Sequence, residues 1–157
     1  MMKQKLVSLV EKKAKDQVFK KYFLGRAEFF SKSKIDLFNS VILSQRLNSK
    51  KNDCHNNCHT IFDEYADLKF YVGYATPSDY FQPIHHAWIV FRGKVVEPTF
   101  IIEKQKKIVD SKNYYKQYNQ SLSYEYFGVE LKDCMEIDWF YDIFGSDFYK
   151  ITGVKKR

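Results

Sequence analysis

Nowhere in this chain do apolar residues run on for the roughly 18 positions that a membrane-spanning helix needs. The first apolar residues are interrupted by Lys3, Lys5, Glu11, Lys12 and Lys13, which is not a signal-peptide pattern. A cytoplasmic protein with no membrane contact is therefore expected. Cysteine is scarce: there are 3, and an odd, sparse set is not a disulfide framework. Cys54 and Cys58 lie close together and Cys134 is remote, so a catalytic thiol or a metal ligand is the fairer question. No stretch reads as a Pro/Gly/Ser linker and no segment repeats. Nothing thus divides residues 1–157, and one domain is expected, of a length able to bury a sizeable core.

What the chain has in quantity is aromatic residues, 12 Tyr and 14 Phe among 157. They supply the core and argue against intrinsic disorder. Charge is unevenly placed. Residues 1–51 carry 13 Lys/Arg against 4 Asp/Glu, while the rest of the chain is slightly acidic, for a net charge of +7. A basic front half attracts nucleic acid or an acidic protein, or is a solvated lysine-rich face on helices; no base-reading motif accompanies it.

Apolar residues recur every fourth position at Leu6, Val10, Ala14, Val18 and Tyr22, with Leu9 and Phe19 beside them. This predicts one amphipathic helix that stops near Gly25. A second helix is expected after Ser33, with Asp36 in a capping-box variant and Leu37, Phe38, Val41, Ile42 and Leu47 as its apolar positions. Residues 48–53 read as a loop. Asp53 is a suitable N-cap for a short helix over 54–65 carrying Ile61 and Phe62. Strands are predicted at 70–75, 86–91, 94–100 and 124–131, with Arg92-Gly93 as a tight hairpin turn. Residues 103–123 fit either helix or loop, and the aromatic stretch 137–149 is expected to pack back on the core. The class is α+β: helices in residues 1–50, a Cys-His-Glu core in 51–131 and an aromatic end in 132–157.

Chemistry enters through order: a cysteine opens a helix, a histidine opens a strand, and a carboxylate lies on the next strand. A thiolate is the reactive form of cysteine, and the start of a helix favours negative charge, which suits Cys54. An imidazole nearby completes the activation. If Arg92-Gly93 is a two-residue turn, Phe91 faces Lys94, His86 faces Thr99, and Glu97 is a diagonal neighbour of His86 on the same face. His85 points the other way, and a one-residue change in the turn would exchange the two histidines. Glu97 then orients His86 as the third member of a triad does. Asn57 and the backbone N–H of Cys54 are candidate donors to an oxyanion, although a helix-turn hydrogen bond is the plainer role for Asn57.

Five strings carry a resemblance: Cys54-His-Asn-Asn, Tyr71-Val-Gly-Tyr-Ala, His85-His86-Ala-Trp, Val96-Glu97-Pro-Thr and Tyr126-Phe-Gly-Val. Together they resemble a pattern of small phage and bacterial proteins, roughly C-x-x-N, Y-x-x-G-Y, H-A-W, D-P-T and Y-F-G. These in turn are similar to the papain-like and transglutaminase-like superfamily. The resemblance covers residues 54 to about 131 and implies a Cys-bearing helix before an antiparallel sheet bearing His and then an acid. It implies Cys54 as nucleophile, His86 as base and Glu97 in the Asp position, with Asn57 matching the asparagine of the first string. A cysteine hydrolase or acyltransferase acting on protein or peptide, phage-encoded and active in a host cytoplasm, would follow. No cofactor is expected.

Two other classes compete. Cys54, His55, Cys58 and His59 form a dense group for zinc, but the usual pair of Cys two residues apart is missing, and in a helix the cysteines share one face and the histidines another. A non-catalytic binder on the same fold, holding a host protein or nucleic acid, is the third class.

Overall fold

The chain is seen in a computed structural model that describes residues 1–50, 53–59, 61–100 and 124–152. Two helices open it, α1 (Met2–Lys13) and α2 (Gln17–Arg26), where the fourfold recurrence predicts one. The break is made by Asp16, whose carboxylate accepts the Val18 and Phe19 N–H groups as an N-cap. Its own N–H donates to Asp147 Oδ2 at 2.7 Å. The interruption turns the second helix, so Phe19 and Phe23 are buried and Val18 is 67 % exposed.

After β1 (Glu28–Phe30) comes α3 (Leu37–Arg46), capped by the Asp36 carboxylate on Asn39 N–H at 3.1 Å. Its buried face is Leu37, Ser40, Leu43 and Ser44, whereas Phe38, expected inside, is 58 % exposed. The expected 54–65 helix is found as α4 (Cys54–His59) and α5 (Ile61–Glu64). Then follow β2 (Lys69–Pro77), β3 (Ile84–Phe91), β4 (Lys94–Val96), β5 (Tyr124–Leu131) and α6 (Cys134–Lys150). Residues 103–123, which fitted either helix or loop, lie outside the described residues. Among the described residues no helix is long and apolar enough to cross a membrane.

The strands form one antiparallel sheet in the order β1-β5-β2-β3-β4, so the α+β expectation holds. Period-two alternation sends Phe70, Val72 and Tyr74 of β2 toward one face, where Leu6, Phe19, Phe23, Phe140, Phe144 and Phe148 pack on them. α6 reaches that layer through Phe140, Phe144 and Phe148, spaced every fourth residue, which satisfies the aromatic packing expected of 137–149. The other face of the sheet holds a second cluster of Phe30, Tyr71, Ala75, Trp88, Val90, Val95 and Tyr126. In the middle of that face Gly73 of β2 stands opposite Gly128 of β5.

Candidate active site

The hairpin decides which histidine faces the site. Arg92 and Gly93 have φ of 51° and 76°, a pair of positive values whose twist matches that of two adjoining strands. Phe91 therefore faces Lys94, Val90 faces Val95 and Ile89 faces Val96. With alternation along β3, His86 and Trp88 fall on the second face of the sheet. His85 falls on the helical face, where its ring meets Tyr149 edge-on at 4.6 Å.

The strand predicted over 94–100 ends at Val96 instead, and His86 gains no ladder partner in Thr99. Pro98 has no N–H to continue a ladder, and residues 98–100 turn back. The turn serves the carboxylate: Glu97 Oε1 accepts the N–H groups of Thr99 at 3.3 Å and Phe100 at 3.0 Å. Tyr126 O–H donates to Oε2 at 3.2 Å, and His86 Nε2 lies 3.0 and 2.9 Å from the two oxygens. Glu97 is fully buried, and a buried charge persists only where donors replace water, as these do.

Early termination of β4 has a second effect. Ala87 is the next residue of β3 whose backbone points toward the β4 side, and no strand is there to meet it. α4 takes the place. The Ala87 N–H hydrogen-bonds the Cys54 sulfur, and the Cys58 thiol donates to the Ala87 carbonyl at 3.7 Å. The helix thus brings its two cysteines onto one residue of β3, and Cys54 within hydrogen-bonding reach of His86. Because Nε2 is held by Glu97, the nitrogen left for Cys54 is Nδ1. Phe100 fixes the ring plane by stacking on it at 4.0 Å and 8°, with Trp88 parallel beyond at 6.3 Å.

The electrostatics follow from this geometry. Burial pushes the Cys54 thiol up, but the His86 charge, its hydrogen bond and the Ala87 N–H outweigh burial and hold the thiol below its ordinary value. Burial pushes His86 down, yet Glu97 first and Cys54 second raise it to about 10. Cys58 has no such partner, and burial drives its thiol well up. The two cysteines are separated by one helical turn and have opposite chemistry.

Asn57 is buried, and its amide is engaged on three sides. Nδ2 donates to Lys50 C=O at 2.7 Å and to Thr99 Oγ1 at 2.9 Å, and Oδ1 accepts Lys50 N–H at 2.8 Å. It ties α4 to the turn after Glu97. Asp53 does not cap α4 with its carboxylate; it accepts Asn56 Nδ2 at 2.8 Å. His55 and His59 share the opposite face of α4, as helical spacing requires, with His55 hydrogen-bonded with the Tyr141 hydroxyl at 3.2 Å. Among the described residues no three His, Cys, Asp or Glu side chains are gathered to hold a metal ion.

Two partners of Glu97 escape sequence reading. Tyr126 belongs to the Tyr-Phe-Gly string, yet nothing in that string says that its hydroxyl reaches a residue 29 positions away. Ser40 carries no signal at all, being a serine in an otherwise apolar helical pattern. Its hydroxyl donates to Asp36 C=O at 2.6 Å and accepts the Glu97 N–H at 2.8 Å, which is why α3 buries serine and leaves Phe38 outside. Ser40→Ala should leave the Glu97 N–H without a partner and destabilise by about 1–3 kcal/mol in urea unfolding. An unchanged midpoint would mean that the bond contributes nothing.

Comparison of the chain with protein-family models, with curated proteins and with solved structures finds no match.

Proposed function

We propose that the protein is a cysteine-dependent acyl-transfer enzyme acting on an amide or peptide, with a papain-like or transglutaminase-like arrangement of helix and sheet. One observation carries the reading: a buried His86 stands between the Glu97 carboxylate and a Cys54 thiol whose pKa is lowered. The order helix-borne Cys, strand-borne His and following acid supports the same arrangement.

In the first half-reaction the Cys54 thiolate attacks the substrate carbonyl carbon, a C–S bond forms, and the carbonyl electrons move onto oxygen. The Cys54 backbone N–H is the proposed donor to that oxygen. Collapse breaks the C–N bond, and the amine leaves with the proton that His86 held on Nδ1. His86, now neutral, takes a proton from water or an incoming amine, whose attack on the thioester releases the acyl group and restores the thiolate. Cys54 and His86 are the catalytic residues. Glu97 is a positioning residue that fixes the ring tautomer and stabilises the imidazolium. Asn57, with its amide engaged on Lys50 and Thr99, serves to hold α4 in place.

Glu97→Gln tests this division of roles. The amide keeps the shape but removes the charge, and kcat should fall roughly 10- to 1000-fold. The pH profile should move as well. In the wild type His86 is raised to about 10, so its stabilising contribution is complete below the ordinary imidazole range and is lost as pH rises through that value. Without Glu97 the imidazolium should be lost at lower pH, and the alkaline limb of the activity profile should shift down with it. A wild-type rate and a wild-type profile in Glu97→Gln would remove Glu97 from the site and leave a Cys-His dyad.

A further inference from the structure

α6 carries a glycine in its interior, Gly145, where glycine weakens a helix relative to alanine. Packing does not require it. Apart from its chain neighbours and the backbone of its own helix, no atom lies within 4 Å of the position a Cβ would take, unlike at Gly73 and Gly128, where the backbone of a neighbouring strand stands in the way. The open space belongs to a groove of about 540 Å³ between α4 and α6, a volume suited to a peptide-sized ligand. His55, Asp138, Tyr141, Asp142 and Tyr149 wall it.

The groove runs past α4 near the nucleophile, although Cys54 itself is not part of its wall. His55 follows Cys54 in the chain, and both Tyr141 and Tyr149 lie within electrostatic reach of the Cys54 sulfur. Tyr141 and Tyr149 stack on each other at 6.0 Å and 25°, giving an apolar surface for an aliphatic stem. Asp138 and Asp142, one helical turn apart, add two exposed carboxylates that form no ion pair among the described residues. Burial and the neighbouring His59 push His55 down, so it does not neutralise them. In a chain of net charge +7 this groove is locally acidic.

We infer that the groove binds the substrate of the Cys54 site and selects a lysine or arginine side chain next to the amide that is attacked. The inference rests on Cys54 being the nucleophile. A side chain at position 145 would project into the space that the substrate occupies, which accounts for glycine in a helix interior.

The test uses three chloroacetamides of similar length: one made from agmatine, with a guanidinium, one from pentylamine, neutral, and one from 4-aminobutyrate, an anion. Each alkylates a thiolate as the sulfur bonds the α-carbon and chloride leaves with the electron pair, and mass spectrometry locates the adduct. At low salt the agmatine reagent should label Cys54 about 10-fold faster than the pentyl reagent, and the anion slowest, with the spread shrinking in 0.5 M NaCl. Asp138→Asn with Asp142→Asn should bring the three rates together. Gly145→Ala should raise the melting temperature and yet slow the agmatine reagent, with small iodoacetamide as the control for thiol reactivity. Equal rates for the three reagents alongside rapid iodoacetamide labelling would overturn the inference and leave the nucleophile standing. If no reagent labels Cys54, the nucleophile assignment falls. The groove is then judged by NMR with N-acetylarginine methylamide, and an absence of shifts at Asp138 and Asp142 would overturn the inference too.

Discussion

Cys54→Ala should lower kcat by about 10⁶-fold, the scale on which removal of a nucleophile from a triad acts. The protein should stay folded. Cys54 is half-buried at the first position of a short helix, at the margin of the core rather than inside it. The contrast with Cys58 makes the experiment decisive. Cys58 is fully buried in the helical layer, hydrogen-bonded to Ala87, with a thiol pushed well above the usual range. Cys58→Ala should cost on the order of 1–2 kcal/mol through lost packing, a shift of several degrees in melting temperature, with activity retained where the protein is folded. Iodoacetamide should discriminate in the same way, labelling Cys54 with a midpoint below that of an ordinary thiol and leaving Cys58 untouched. The sign matters here, because burial alone would move Cys54 upward and the His86 imidazolium, helped by the Ala87 N–H, brings it down. A midpoint above the ordinary value would show that the thiolate–imidazolium pair is not formed, and equal activity loss from Cys58→Ala at unchanged stability would transfer the nucleophile's role to Cys58.

Gly128→Ala should cost more than about 4 kcal/mol and prevent a folded product in most conditions. Gly73 and Gly128 are direct cross-strand partners of β2 and β5. A Cβ on Gly128 would meet the Val72 carbonyl and the Trp88 ring, and one on Gly73 would meet the Phe127 carbonyl and the Gly128 Cα, all well inside contact distance. Backbone cannot yield as a flexible side chain does, so the two strands would have to separate. The close approach also supports the site, since the Trp88 ring that lies over Gly128 is parallel to His86. Circular dichroism and urea unfolding read the effect. Gly145→Ala is the internal comparison, a glycine with open space whose replacement should stabilise. A Gly128→Ala protein as stable as the wild type would show that the strands can part at little cost.

Local chemistry made several features legible in the sequence alone. The turn chemistry of Arg92-Gly93 set the hairpin register that separates His86 from His85, whereas the helix expected to follow Ser33, with Asp36 inside its first turn, starts three residues later with Asp36 itself as the cap. Alternation placed strands 84–91 and 124–131 to within a residue or two, and the density of aromatic residues in 137–149 marked a stretch that packs on the core, though not that it is the helix α6. Where reading failed, a local signal was present but outweighed. Asp16 broke a helix whose apolar recurrence runs straight across it, and Pro98 stopped a strand rich in β-branched residues and so shaped the loop that holds Glu97. Other features had no local signal. The Ser40–Glu97 bond joins residues 57 apart, the Tyr126 hydroxyl crosses from β5, and the glycines of two separate strings prove to be one cross-strand pair. Capping, turn type and periodicity act over a few residues and are written in order along the chain. Which strand lies beside which, and hence which polar groups meet in the dry interior around Glu97, is decided only when burial brings distant segments together.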